Sequence, residues 1–256
     1  MRKNLYLRQI GLNRALPENA YWAKLPAVQH LAAQPLTLTR PVTLLVGENG
    51  VGKSTLIEAI AVRLGFNAEG GTKNFNFATR ETHAALYDYL DLGRGPYRPR
   101  DGFFLRAESF YNVATNIDEL DEGAPVNLHD LPIIARYGGR SLHEQSHGES
   151  FLALVRNRLG GQGMYVFDEP EAALSPTSLM ELLGHIHRLE QADSQLVIAT
   201  HSPVLMTYPG AQVLYIDETG IRSVDYRQTS HYQLTRRFLE NPEPMYRLLW
   251  ERENKP

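Results

Sequence analysis

Residues 47–54 read Gly47-Glu48-Asn49-Gly50-Val51-Gly52-Lys53-Ser54, which fills every fixed position of the phosphate-binding pattern G-x-x-x-x-G-K-[ST]. The apolar run 42–46 before it is typical of a buried strand. The apolar spacing across 53–64 predicts a helix, and Gly65 is placed to end it. Strand, glycine-rich loop and helix in this order turn backbone N–H groups toward an anion. The stretch therefore predicts binding of a nucleoside triphosphate.

Side chains of this phosphate-binding loop have separate predicted tasks. Lys53 supplies a mobile positive charge, Ser54 presents a hydroxyl suited to Mg²⁺, and Thr55 extends the first helical turn toward the phosphates. The alternative is a glycine-rich turn that opens an ordinary helix. The predicted nucleotide contacts are Gly47, Asn49, Gly50, Gly52, Lys53, Ser54 and Thr55.

The composition narrows the class of protein. With 256 residues and 43% hydrophobic residues, the chain is long and apolar enough for one domain with a buried core. The 26 basic and 29 acidic residues nearly balance, so no global field favours nucleic acid or an anionic membrane. Cysteine is absent, which excludes disulfides and thiolate metal sites. The sequence shows no apolar run of membrane-spanning length and no signal-peptide pattern at its start, so we expect a cytoplasmic protein.

Two further strands are expected to end in chemically useful side chains. Asp168 and Glu169 follow the apolar run 164–167, and His201 follows the apolar run 196–199. Ligands of an open parallel sheet gather at the carboxyl ends of its strands. Asp168 is suited to orient Mg²⁺ or its water, and Glu169 to take a proton from an attacking water. Each pattern alone is also typical of a strand that runs into a polar turn.

The segment Ser146-His147-Gly148-Glu149 precedes a predicted helix over 150–159. It is suited either to offer N–H groups and a hydroxyl to phosphate or simply to cap the helix. After this helix, strands and helices alternate, which indicates a largely parallel sheet. A closing strand pair is predicted at 213–216 and 221–224, and a helix over 234–250 with a break at Pro242 and Pro244. A helix is also predicted around 79–92, and an exposed connection over 118–132.

In order and spacing, these motifs resemble the ABC ATPase superfamily. Gly148 lies 20 positions before Asp168, and His201 lies 33 positions after it. The resemblance implies an α/β fold, namely a P-loop NTPase with a largely parallel sheet plus antiparallel strands. We expect one ABC-type ATPase domain over 1–256, with N-terminal strands and P-loop in 1–65, an insertion in 66–140 and the remaining motifs in 141–256. The stretches 168–176 and 199–203 look more like the soluble OLD, RecF and SMC-related branch than transporter subunits.

The resemblance also implies roles and partners. Lys53 and Ser54 would contact ATP and Mg²⁺, Asp168 would hold Mg²⁺, Glu169 would act as catalytic base and His201 as γ-phosphate sensor. Ser146, Gly148 and Glu149 would reach the ATP of a second subunit. We therefore expect a head-to-tail homodimer that hydrolyses ATP.

Several positions depart from the family pattern. The signature Leu-Ser-Gly-Gly-Gln reads Gln145-Ser146-His147-Gly148-Glu149, and Ser175 replaces the acid of the D-loop. No glutamine marks the glutamine loop, so Glu108 is either a substitute on the Mg²⁺ side or a surface glutamate. Tyr21 or Trp22 is a candidate for stacking on adenine, or else belongs to the core.

What the ATP cycle acts on is open at this stage. The resemblance favours DNA repair or mobile-element and phage defence, with nucleic acid or a separate effector protein as partner. The alternatives are the nucleotide-binding subunit of a membrane transporter and a nucleotide-gated protein-binding module. A membrane partner is not expected, because the glutamine loop is missing and the segment after Glu169 is rich in glutamate.

Overall fold

The computed structural model describes residues 5–71, 85–108, 110, 114–115 and 146–253, with the backbone alone at 147 and 251–253. Its strands are β1 (Leu7–Leu12), β2 (Leu36–Thr37), β3 (Val42–Gly47), β4 (Leu90–Arg94), β5 (Asp101–Arg106), β6 (Gly163–Asp168), β7 (Gln195–Ala199), β8 (Gln212–Asp217) and β9 (Gly220–Val224). Its α-helices are α1 (Pro26–Ala33), α2 (Lys53–Leu64), α3 (His147–Arg158), α4 (Pro176–Gln191), α5 (Pro203–Met206), α6 (Ser230–Glu240) and α7 (Pro242–Glu253). Short 3₁₀ turns lie at Tyr21–Lys24, Ala85–Tyr89, Pro170–Ala173 and Tyr226–Gln228.

The main sheet has the strand order β5-β6-β7-β3-β8-β9. All neighbours are parallel except β8 and β9, which form an antiparallel pair. The carboxyl ends of β6, β7 and β3 therefore meet at one edge of the sheet. That edge carries the phosphate-binding loop, the acidic pair after β6 and the histidine after β7.

A smaller antiparallel sheet, with the order β2-β1-β4, covers one side of α2. It is tied to the main sheet by Gln195, whose Oε1 accepts the backbone N–H groups of Tyr6 and Leu7, both at 2.8 Å. Because successive strand residues face opposite sides, the main sheet contributes to two cores. Leu44 packs with α3 and α4, whereas Leu45 packs with α1, α2 and the small sheet.

The prediction of a helix around 79–92 is wrong. Residues 79–84 lie outside the described part, residues 85–89 form a 3₁₀ turn, and β4 begins at Leu90. Strand β4 pairs with β1, and this pairing buries Leu90 completely. Packing against a neighbouring strand thus overrides a local helical pattern.

The C-terminal segment follows its prediction, because α6 ends at Glu240 and α7 begins at Pro242. Proline lacks the N–H that would continue the first helix. The predicted connection at 118–132 and most of the predicted insertion at 66–140 lie outside the described residues. Within the residues that the structure describes, no helix combines the length and apolarity needed to cross a membrane.

Candidate nucleotide-binding site

The phosphate-binding loop connects β3 to α2 in the predicted way. Gly52 stands before the helix with φ 96°, and Gly50 has φ 85°, both in the left-handed region that favours glycine. At Gly47 a Cβ atom would come within 2.3 Å of the carbonyl oxygen of Ile216. The loop therefore needs glycine for backbone angle at two positions and for close packing at a third.

Lys53 is buried at the start of α2, and its Nζ donates to the carbonyl oxygens of Gly47 and Glu48, both at 2.9 Å. Burial lowers the pKa of Lys53, while the nearby carboxylates of Glu169 and Asp168 act in the opposite direction. The ammonium group is thus held over the loop that would receive a phosphate.

Ser54 and Asp168 are brought together from different elements. Ser54 Oγ donates to Asp168 Oδ1 at 3.2 Å, where the first turn of α2 faces the end of β6. Burial raises the pKa of Asp168 to about 7, and the neighbouring Arg106 opposes this rise. A hydroxyl and a carboxylate are oxygen ligands of the kind that Mg²⁺ takes alongside substrate phosphates. The described residues contain no group of three or more histidine or acidic side chains that would hold a metal by themselves.

Glu169 and His201 approach each other across the ends of β6 and β7. Glu169 adopts the left-handed conformation with φ 48°, and its Oε1 lies 3.3 Å from His201 Nε2. That nitrogen is buried and makes no well-aligned hydrogen bond to any described residue. The structure therefore places the residues of the predicted base and sensor close to each other and to Lys53.

The signature segment forms the start of α3. Ser146 caps the helix: its Oγ donates to Glu149 Oε2 at 2.6 Å and accepts the N–H of Glu149 at 3.4 Å. The hydrogen bonds of Ser146 to described residues stay within this first turn. Gly148 packs near the 3₁₀ turn after β6, where a Cβ atom would lie 3.1 Å from Ala173 O. Ser175 likewise caps α4 through the N–H of Ser178. Within one chain, these segments are helix caps.

The two candidates for stacking on adenine, Tyr21 and Trp22, differ in their exposure to solvent. Trp22 is only 5% exposed and packs edge-on against Tyr89, so it belongs to the core. Tyr21 is 68% exposed. Helix α1, which follows the 3₁₀ turn of Tyr21, borders the phosphate-binding loop, because the N–H of Ala27 donates to Val51 O at 3.1 Å. Tyr21 remains the candidate.

Arg106, at the end of β5, is a residue that sequence reasoning missed. Its guanidinium pairs with Glu58 at 2.8 Å and lies 3.6 Å from Asp168 Oδ2. Glu108, the predicted substitute for the missing glutamine, is exposed and lies 3.4 Å from Arg106. Glu108 is thus near the Mg²⁺ side of the site, although Arg106 stands between it and Asp168 in the network. The available signal in the sequence was an arginine directly after the apolar run 103–105.

Two further missed groups surround His201. Glu171 Oε1 accepts from Thr200 Oγ1, from the N–H of His201 and from the N–H of Ser202. His231, far along the chain in α6, places its Nε2 3.2 Å from His201 Nδ1. Spacing along the sequence gives no sign of the contact with His231.

Comparison with known proteins gives matches over both halves of the site. Residues 28–91 match a family described as an AAA domain. Residues 150–207 match one described as an AAA domain, a proposed AbiEii toxin of a type IV TA system. An uncharacterized ABC transporter ATP-binding protein of Haemophilus influenzae is 23% identical over 188 residues, covering 69% of this chain and 70% of that protein. The L-cystine transport system ATP-binding protein TcyN of Escherichia coli is 26% identical over 196 residues, covering 70% and 77%.

The fold agrees with a solved cassette. The structure of cbiO1 from Clostridium perfringens, part of the ABC transporter complex cbiONQ, aligns with a TM-score of 0.53 over 95% of this chain and 99% of that one, at 14% identity. The predicted fold class is confirmed: this is the α/β P-loop fold of ABC ATPases with a mixed sheet. The chain is thus similar to ATP-binding proteins of ABC transporters and, over residues 28–91, to an AAA domain. The OLD, RecF and SMC-related branch is not confirmed, because the relatives named here are ATP-binding proteins of transporters.

Proposed function

We propose that this chain is a Mg²⁺-dependent ATP hydrolase whose complete site is formed by two copies of the chain arranged head to tail. The observation that carries the proposal is the convergence of three strand ends. Lys53 follows β3, the pair Asp168 and Glu169 ends β6, and His201 follows β7, with Ser54 3.2 Å from Asp168 and His201 3.3 Å from Glu169. Ligand-binding groups of open α/β sheets are expected at such an edge.

Each group has a distinct task in this proposal. Lys53 and the loop N–H groups bind the β- and γ-phosphates, and Ser54 with Asp168 would hold Mg²⁺. When bound, Mg²⁺ neutralises charge that develops on the phosphates. Glu169 accepts a proton from the attacking water, and Nε2 of His201 contacts the γ-phosphate.

The catalytic base is tested by Glu169→Gln. Glutamine keeps the size of the side chain but removes the proton acceptor, so we expect turnover to fall by about 10²–10⁴-fold with ATP affinity retained. Glu181, an exposed glutamate on α4 that pairs with Arg156, provides the control Glu181→Gln, which should hydrolyse ATP normally. Turnover in Glu169→Gln within about twofold of the wild type would reject Glu169 as the base.

The dimer is tested by mixing two inactive chains. Lys53→Ala removes the phosphate-binding charge, whereas Ser146→Arg blocks the signature segment. If Ser146 acts on the partner's ATP, a mixed dimer contains one site with intact Lys53 and intact Ser146. Mixing should therefore restore activity that neither variant has alone. No recovery on mixing, with each variant folded, would contradict a site shared between two chains.

Of the proposed roles for ATP hydrolysis, that of the nucleotide-binding subunit of a membrane transporter has the better support. The curated relatives cited above are ATP-binding proteins of transporters, so the expectation of no membrane partner has no support from them. A role in DNA repair has no support from these relatives, and for a role in defence the pointer is the toxin–antitoxin description of the family matched over residues 150–207.

The two roles are separated with Glu169→Gln protein, which is expected to accumulate as an ATP-bound dimer. Retention of an integral membrane protein by this dimer in detergent extracts would support the transporter role. ATPase stimulation by DNA, lost steeply with added salt, would support the nucleic-acid role, because phosphate contacts release counterions.

A further inference from the structure

His231 is the second imidazole of the site and comes from the C-terminal helices. It lies in the first turn of α6, and its side chain is 12% exposed. Its Nε2 is 3.2 Å from His201 Nδ1, and the two rings are 5.3 Å apart between centroids. The Oε1 atom of Glu48, from the phosphate-binding loop, is 3.8 Å from the same Nε2. His231 therefore faces both the sensor residue and the loop.

The start of α6 is fixed in this position. Thr229 caps the helix through the N–H of Tyr232 and donates to Tyr226 O at 2.7 Å. Ser230 Oγ lies 3.0 Å from Tyr215 Oη, 3.2 Å from Glu48 Oε1 and 3.4 Å from Nδ1 of His231, the nitrogen that accepts when the hydrogen of this ring is on Nε2. These contacts hold the backbone that carries His231 against β8 and the phosphate-binding loop. Hydrogen bonds of the neighbouring residues therefore fix the position of His231 relative to His201.

The contact restricts the hydrogens of both rings. A neutral imidazole carries one N–H, and the other nitrogen accepts. Glu48 carboxylate and His201 Nδ1 both face His231 Nε2, and a carboxylate only accepts. A hydrogen on His231 Nε2 satisfies the contact with His201, and it requires His201 to carry its own hydrogen on Nε2. That nitrogen is the one that faces Glu169 and lacks an aligned partner among the described residues.

We propose that His231 is a positioning residue that holds His201 in the tautomer with hydrogen on Nε2, ready to donate to the γ-phosphate. The proposal rests on the hydrolytic function proposed above and adds a residue to its sensor. A donor hydrogen fixed before ATP arrives removes the reorganisation otherwise needed during reaction.

The charges around the pair agree with two neutral rings. Burial lowers the pKa of both histidines, and Lys53 lowers both further, while Glu169 acts in the opposite direction on His201 and Glu48 on both. Two protonated rings with nitrogens 3.2 Å apart would repel each other, whereas two neutral rings can form one N–H···N hydrogen bond. We therefore expect both rings to be neutral, with one N–H···N hydrogen bond between them, at pH values above the ordinary imidazole pKa of about 6.5.

The test compares two substitutions with opposite expectations. His231→Leu fills the space with an apolar side chain and removes the donor, so kcat should fall about tenfold, the size expected for one lost hydrogen bond, with KM for ATP unchanged. Glutamine can place an N–H donor near the original Nε2, so His231→Gln should stay within about threefold of the wild type. His185 on α4 is similarly buried, at 14% exposed, and His185→Leu is the matched control with normal kcat.

The tautomer itself is read by long-range ¹H–¹⁵N NMR of the histidine rings in nucleotide-free wild-type protein, with the His201 signals identified by their loss in His201→Gln. We expect hydrogen on His201 Nε2 in the wild type and loss of that preference in His231→Leu. Hydrogen on Nδ1 in the wild type would overturn the proposal. Equal kcat in His231→Leu and His231→Gln, or an effect on KM alone, would also overturn it. If the wild type proves unable to hydrolyse ATP, the hydrolytic function fails, while the NMR result still decides the role of His231.

Discussion

Glu171 Oε1 accepts the backbone N–H of His201 at 2.6 Å, which joins the turn after β6 to the turn after β7. The same oxygen accepts from Thr200 Oγ1 at 2.6 Å and from the N–H of Ser202 at 3.0 Å. One carboxylate therefore holds the whole loop that carries the sensor histidine. Its other oxygen, Oε2, is buried without a hydrogen-bond partner among described residues.

Removing this acceptor should impair catalysis more than binding. In Glu171→Ala, two N–H groups and a hydroxyl lose their partner, and we expect kcat to fall about 10- to 100-fold with little change in KM for ATP. Glu171→Gln keeps one acceptor oxygen and should retain most activity. Steady-state kinetics of both variants check this, with exposed Glu181→Ala as the control. Wild-type kcat in Glu171→Ala would show that the loop holds His201 without Glu171.

Asp168 should make both stability and activity depend on pH. Its pKa is raised from 3.8 to about 7 by burial. Between about pH 4 and pH 7 the folded protein keeps a proton that the unfolded chain has released, so this group's contribution to stability falls as pH rises through that window. Mg²⁺ binding needs the carboxylate, so affinity for Mg²⁺ with ATP should fall as pH drops below about 7.

Asp168→Asn separates these effects. Without Mg²⁺ and ATP, the variant should have a higher Tm than the wild type at pH 8, and the difference should vanish near pH 4. Hydrolysis should be lost at every pH. Thermal melts across this range check the prediction, and Asp91→Asn on the exposed side of β4 should leave the pH dependence of Tm unchanged. A lower Tm for Asp168→Asn at pH 8 would contradict the burial effect.

The packing of Gly47 predicts a large effect from one methyl group. The added Cβ atom would come within 2.3 Å of a backbone oxygen in β8, and backbone cannot move as a flexible side chain does. We expect Gly47→Ala to lower Tm by several degrees and to weaken ATP binding. Gly160→Ala adds a methyl group with nothing within 4 Å and should leave both unchanged. Calorimetry and nucleotide titration compare them directly; equal Tm values would contradict close packing at the loop.

The residues of the site that could be predicted are those that belong to short local sequence patterns. Lys53 and Ser54 open the helix after the glycine-rich loop, whereas Asp168 and His201 come at the ends of apolar strands. The parallel order of β3, β6 and β7 brings them together. Strand β4 was missed because its partner β1 lies far away in sequence. The same holds for side chains: His231 reaches His201 only because α6 returns to the loop after the antiparallel strands β8 and β9.

Tyr21 provides the remaining prediction, which concerns the base of the nucleotide. It is exposed beside the segment that borders the phosphate-binding loop, whereas its neighbour Trp22 is buried. Stacking of an aromatic side chain on a base contributes about 1–3 kcal/mol, so Tyr21→Ala should weaken ATP binding by about 5- to 150-fold, and Tyr21→Phe should not. Tyr97, which is 55% exposed in the connection between β4 and β5, provides the control Tyr97→Ala. Since stacking needs only the ring, unchanged ATP affinity in Tyr21→Ala would assign the base contact to another residue.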